Sequence, residues 1–290
     1  MFLPFLFLIP FHMTVHTLLI HCPDRKGLIF IITQVVFNHH LNIISNGEFV
    51  DKASNHFFMR AEIAGLLEPG QLESDLRQVL PPEADIQVLP RKKKNIVLLV
   101  TKEHHCLGDL LLREQYQDLD ARIQAVIGNY PTLQPLAEKF GVPFHVISHE
   151  HKTREAHDQE IAQVVRQYAP DYIVLAKYMR VLNPAFVEAF PNRIINIHHS
   201  FLPAFIGANP YRQAFERGVK IIGATAHFVS NDLDEGPIIA QNVIQVNHTH
   251  TVADMIASGR DVEKIVLAQA LNLVFADKVF VSNNKTIIFY

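Results

Sequence analysis

Five apolar runs from residue 96 onward are short and rich in β-branched residues: Ile96 to Val100, Ile123 to Ile127, Phe144 to Ile147, Tyr172 to Leu175 and Ile194 to Ile197. Stretches with helical spacing, such as Gln134 to Phe140 and Asp158 to Tyr168, lie between them. Near-continuous apolar strands are those buried on both faces, and strands that alternate with helices place a chain in the α/β class. The expected architecture is therefore a doubly wound, mainly parallel sheet whose ligands bind outside the carboxyl ends of the strands. Ile221 to Val229 adds another strand, and Val252 to Ala276 carries a long helical pattern interrupted at Gly259. Two strand-like runs around Asn283 and Asn284 close the chain.

The first part follows a different order. Val15 to His21, Asn42 to Val50, His56 to Ile63 and Ile86 to Leu89 read as strands, with helical spacing over Leu28 to His39 and Gln71 to Leu80. That is a ferredoxin-like βαββαβ unit, its first strand joined to its first helix by the turn Cys22 to Gly27. Pro90 and the basic run Arg91 to Lys94 precede the next apolar run, so residues 91–95 are the expected linker between a small domain, 13–90, and a larger one, 96–290. Residues 1–12, MFLPFLFLIPFH, fit neither a secretory signal nor a membrane span, because there is no positive n-region and Pro4 and Pro10 break the apolar run. They are expected to be a non-native or disordered leader, with a membrane tether as the alternative.

A chain of 290 residues, 49% of them apolar, has ample material for two cores. A net charge of −3 with both signs dispersed gives no electrostatic footprint for nucleic acid. Cys22 and Cys106 are the only cysteines, too few for a disulfide framework or a thiolate metal cluster, and a cytoplasmic location is expected.

On a strand from Ile194 to His198, Asn196 and His198 point to the same face, because side chains alternate with period two. The turn Ser230 to Gly236 brings Asp234 over the same edge if the strand before it is a neighbour. An amide, an imidazole and a carboxylate suit chemistry on a carbonyl: a donor for the oxyanion, a proton carrier and a group that orients or charges it. The alternative is that each polar side chain serves a turn.

Four linked elements sharpen this reading: Asn196 with His198, Ser200 to Pro203 with Gly207, His227 to Val229, and Leu233 to Gly236. Together they resemble the formyltetrahydrofolate-dependent transferase and hydrolase superfamily. Cys22-Pro23-Asp24-Arg25-Lys26-Gly27 resembles the opening of an ACT domain, which implies an amino-acid effector and a homo-oligomer. With VTKEHHCLGDLL and LAKYMRVL, the whole of Met13 to Tyr290 resembles the formyltetrahydrofolate deformylase family. The resemblance implies hydrolysis of 10-formyltetrahydrofolate to formate and tetrahydrofolate, with water and the folate as partners, no cofactor, no metal and no membrane. The formate would supply purine synthesis and balance one-carbon pools. Asn196 and His198 would then polarise the formyl oxygen, and Asp234 would hold and charge the imidazole and help deprotonate the water. Met179, Arg180, Val181 and Leu182, with Ser230, Asn231, Asp232 and Leu233, would line the pteridine slot, and His227 and Gly207 would support the site. Asn209 stands where the family pattern implies an arginine.

The formyl acceptor separates the branches. Glycinamide ribonucleotide transformylases hold a phosphate on a glycine-rich loop after the first strand. The matching segment here, Thr101 to Asp109, lacks that cradle and contains Glu103 and Asp109, which points to water, with formyl transfer to an amine such as glycinamide ribonucleotide as the alternative. A zinc hydrolase is a third possibility for a chain with 17 histidines. No H-E-x-x-H string occurs, and His149, His151 and His157 read as surface residues. An amino-acid sensor with an inactive sheet domain is the non-enzymatic alternative.

Overall fold

The computed structural model describes residues 14–68, 70–204 and 210–290. The expected leader, Gly207 and Asn209 lie outside the described residues. The chain divides into two compact units, one reaching to Lys92 and the other running from Lys93 to Ile288.

The first unit runs β1 (Val15–Pro23), α1 (Leu28–Asn38), β2 (Asn42–Asp51), β3 (His56–Ala64), α2 (Gln71–Val79) and β4 (Asp85–Pro90). Its strands form one antiparallel sheet in the order β2-β3-β1-β4, the expected ferredoxin-like arrangement. Leu18, Ile20 and Cys22 alternate inward from β1, while Leu28, Ile32, Val35 and Val36 of α1 and Leu72 and Leu76 of α2 recur at helical spacing to cover them.

The second unit opens with β5 (Lys94–Val100), α3 (His105–Gln115), β6 (Ala121–Gly128), α4 (Gln134–Lys139) and β7 (Phe144–Val146). It continues through α5 (Arg154–Tyr168), β8 (Tyr172–Leu175), α6 (Pro184–Ala189), β9 (Ile194–His198) and α7 (Pro210–Arg217). Then come β10 (Ile221–Phe228), β11 (Ile238–Gln245), α8 (Val252–Phe275) and the hairpin β12 (Val279–Ser282) and β13 (Lys285–Ile288). The sheet order is β11-β10-β9-β8-β5-β6-β7, parallel from β9 to β7, with β10 antiparallel to both its neighbours. The chain leaves β5 first toward β7 and later toward β9, so the switch point falls between β5 and β8. Period two splits β5 between two cores. Ile96, Leu98 and Val100 pack with α3 and α8, and Val97 and Leu99 pack with α5 and α6.

Three expectations need correction. Residues 91–95 are not all linker: Lys94 and Asn95 belong to β5, and Lys94 is buried with its Nζ 2.7 Å from Asp277 Oδ1. A basic run reads as solvated only when no distant acid covers it. Thr101 to Asp109 is not all loop, since α3 starts at His105. The last long helix is not interrupted at Gly259. A Cβ at that position would lie 2.2 Å from the Tyr211 ring, so glycine is there for close approach, not for a break. Gly259→Ala tests this. Helix propensity alone favours alanine by about 1 kcal/mol, whereas overpacking costs about 1–3 kcal/mol. We expect a net loss of stability, read as a lower urea midpoint with an unchanged slope; a raised midpoint would contradict the packing argument.

Candidate active site

The end of β9 and the loop after β10 build the site. Antiparallel pairing sets His227 opposite Asn196 and Thr225 opposite His198. His227 Nδ1 lies 2.9 Å from the Phe228 carbonyl oxygen, which can only accept, so Nδ1 carries the hydrogen. His227 Nε2 is then free to accept from Asn196 Nδ2 at 3.2 Å, which fixes the orientation of the amide and leaves its second N–H available. Burial lowers the pKa of His227, against the opposing effects of the Phe228 carbonyl and Asp234, so it stays neutral near pH 7.

Asp234 sits in the left-handed region at φ 58°, in a turn that folds back so tightly that a Cβ on Gly236 would meet the Phe228 carbonyl oxygen at 1.8 Å. That return places Asp234 Oδ1 3.2 Å from His198 Nδ1 and 3.7 Å from His227 Nε2. Burial raises the Asp234 pKa, but the hydrogen bond and charge of His198, helped by His227 and His199, outweigh it and the net shift is downward. The carboxylate is ionised and orients the imidazole through Nδ1. His198 is buried, and its Nε2 has no hydrogen-bond partner among the described residues.

His198 lines a cavity of about 440 Å³ with Asn196, His227 and Asp234 together with Met179, Arg180, Val181, Leu182, Ser230, Asn231 and Leu233. These are the residues expected from the sequence, except two. Asp232 is not on the wall, and its carbonyl accepts from Ser230 Oγ at 3.0 Å. Gly207 lies outside the described residues. Met179 and Leu233 are more than half exposed, whereas Leu182 is buried, so the first two offer apolar surface to a flat ring and the third is core. Backbone N–H groups fix the Met179 loop: Met179 donates to Thr101 Oγ1 at 2.9 Å and Asn183 to Asp158 Oδ2 at 2.7 Å. Asn183 in turn caps α6. Leu175, Tyr178, Ile197, His199 and Val229 also line the cavity and were not expected. His199 follows the last strand residue, where period two no longer predicts direction; its pairing with His198 was the one available signal.

The comparisons with known proteins follow the same lines. A family model described as formyl transferase matches residues 94–271. The chain is 57% identical over 271 residues to a formyltetrahydrofolate deformylase of Haemophilus influenzae, with 93% of this chain and 98% of the relative covered. It belongs to the formyltetrahydrofolate deformylase family. A crystal structure of a formyltetrahydrofolate deformylase from Pseudomonas syringae pv. tomato matches with a TM-score of 0.92 and 37% identity, covering 98% of this chain and 97% of that one. Glycinamide ribonucleotide transformylase 1 from Symbiobacterium toebii matches with a TM-score of 0.65 and 32% identity, covering 68% of this chain and 94% of that one.

In this deformylase-family chain the turn after β5 is closed by acids and their partners. Glu103 Oε2 takes Arg260 at 2.8 Å, and Asp109 takes Arg113 at 2.6 Å. Glu263 of α8 is fully buried and collects three donors: His105 Nε2 at 2.7 Å, Lys177 Nζ at 3.0 Å and Tyr211 OH at 2.7 Å. Burial pushes the Glu263 pKa up, but the bonds to His105 and Tyr211 and the Lys177 charge overcome it and hold it down to about 2. His105, Cys106 and Glu263 bring donor atoms within 4.8 Å of one another, yet they suit a metal poorly. Burial pushes the Cys106 thiol pKa up, which keeps it protonated, and the Lys177 ammonium already occupies the cation position on Glu263. His157 also differs from expectation: it is fully buried, with Nε2 3.0 Å from the Ile147 carbonyl oxygen, so it is a structural histidine.

Burial lowers the pKa of four histidines, His21, His149, His199 and His227. Each binds fewer protons folded than unfolded as pH falls below the ordinary 6.5, so the folded state loses stability on acidification. The urea midpoint should fall steadily from pH 7 to pH 5. A midpoint that is flat or rises over that range would contradict these assignments.

Proposed function

We propose that this chain hydrolyses 10-formyltetrahydrofolate to formate and tetrahydrofolate, with water as the formyl acceptor. The observation that carries the proposal is the His198 Nδ1 to Asp234 contact of 3.2 Å, with Nε2 left without a partner among the described residues on a side chain that lines the cavity with Asn196. The names of the relatives and their coverage of both units support it.

The pteridine lies between the Met179 to Leu182 loop and the Ser230 to Leu233 turn, which brings the formyl group to the end of β9. Water oxygen bonds to the formyl carbon while His198 Nε2 takes a proton from the water. The carbonyl π pair moves onto oxygen, where the second N–H of Asn196 holds it; one such donor contributes about 2.7–4 kcal/mol in comparable hydrolases. When the oxyanion collapses, the C–N bond breaks and His198 returns the proton to the leaving nitrogen. Asp234 stabilises the imidazolium between the two steps, so it assists water deprotonation through His198. The steps need only these side chains and water.

The first unit supports a regulatory role: an amino-acid effector, with glycine or methionine as first tests, and a homo-oligomer. Its edge strand β2 exposes Ile44 and Phe49. A cytoplasmic setting suits two free, buried cysteines, and no described helix is long and apolar enough to cross a membrane. Purified protein given 10-formyltetrahydrofolate alone should release formate and tetrahydrofolate. Dependence of the reaction on an added amine would overturn the hydrolytic reading.

A further inference from the structure

One imidazole on the cavity wall has no part in the steps above. His199 lines the same cavity as His198, and the two rings lie 5.2 Å apart, 34° from parallel. Asn196, His198 and His227 are each tied to a protein partner. His199 has no hydrogen bond to another described residue. It therefore offers a ring nitrogen to whatever enters the cavity beside Nε2 of His198.

We propose that His199 holds the attacking water by accepting one of its O–H groups, while the other O–H points to His198 Nε2 and the lone pair faces the formyl carbon. This inference rests on the hydrolytic reading. His199 gains no proton in the step; the proton moves to His198 as the new C–O bond forms. The role requires an acceptor, because a protonated His199 would be a donor only and would turn the water's lone pair away from the carbon.

The surroundings keep it an acceptor. His199 is faced by the Lys177 ammonium from the loop after β8, Glu263 from α8, the adjacent His198 at the end of β9 and Asp234 from the loop after β10, with the Tyr211 ring of α7 at 6.2 Å. Burial first, and then Lys177, push its pKa down to about 4, with the two carboxylates opposing. The buried Lys177 and Glu263 pair thus sets the protonation state of a group on the cavity wall.

Two variants of the full chain test the proposal. His199→Phe keeps the bulk and the ring contact but has no acceptor; His199→Gln keeps an acceptor oxygen. We expect His199→Phe to lower kcat about 100-fold, within the range of positioned proton-transfer and orientation effects, with KM for 10-formyltetrahydrofolate within about twofold because binding is untouched. His199→Gln should recover at least about tenfold of that loss. Wild-type kcat in the phenylalanine variant, or equal loss in both variants with unchanged melting, overturns the proposal. The pH profile of the unaltered enzyme, set beside that of His199→Gln, supplies a second reading that does not depend on the phenylalanine variant folding. Its kcat between pH 5 and 8 should show no protonation step that the His199→Gln variant lacks; such a step would also overturn the proposal. Wild-type formate release in the same assay separates this outcome from failure of the hydrolytic reading itself.

Discussion

His198→Ala is expected to lower kcat by at least about 100-fold, the scale of losing a positioned acid and base, while folate affinity changes little. The side chain acts on charge that develops during reaction, whereas the pteridine is held by the Met179 to Leu182 loop and the Ser230 to Leu233 turn. Asp234→Asn is the more discriminating variant. Asparagine tolerates the left-handed backbone at φ 58°, so the turn should survive. Its amide, however, no longer stabilises the imidazolium and can donate to Nδ1, which reverses the tautomer and leaves Nε2 without its lone pair. A comparable replacement in a serine protease triad costs about 10⁴ in kcat, and a loss of at least about 100-fold is expected here. Single-turnover formate release with folate binding measured in parallel checks both variants; activity within a few-fold of the wild type in either would remove His198 and Asp234 from the mechanism.

The largest expected effect on stability lies behind the site. Glu263→Ala leaves Lys177, His105 and Tyr211 without their acceptor in a region where Glu263 itself is fully buried. Removing one member of a buried pair costs about 3–5 kcal/mol, because the remaining charge has neither solvent nor partner. Lys177→Met in the same background removes that stranded charge and should restore part of the loss. The urea unfolding free energies of the two variants decide the matter. A loss below about 1 kcal/mol for Glu263→Ala would show that the network is solvated and carries little energy.

Much of the fold was legible because strands buried on both faces leave continuous apolar runs, and the βα alternation then fixes the sheet type. That Asn196 and His198 share a face was legible from period two, and Asp234 followed once β10 was taken as the neighbour of β9, while their choice as a site rested on the resemblance of the linked motifs. What escaped was long in sequence or turned at an element's end. Glu263 is 158 residues from His105, 86 from Lys177 and 52 from Tyr211, and no local pattern announces such partners. Lys94 looked solvated because its partner Asp277 lies 183 residues away. Gly259 looked like a helix break because the ring that fills its missing Cβ comes from α7. His157 sits in a polar stretch, and only the fold shows that its face of α5 is buried. His199 and Tyr178 line the cavity from just beyond strand ends, where alternation gives no direction.

The central claim is that water, activated at His198, is the formyl acceptor, and isotope incorporation tests it most directly. Purified enzyme is given 10-formyltetrahydrofolate and glycinamide ribonucleotide together in water enriched in oxygen-18, and the formate is analysed by mass spectrometry. The account predicts formate with one solvent-derived oxygen, formed at a rate that the amine does not change. Appearance of the formyl group on the nucleotide, with formate minor or absent, would contradict it.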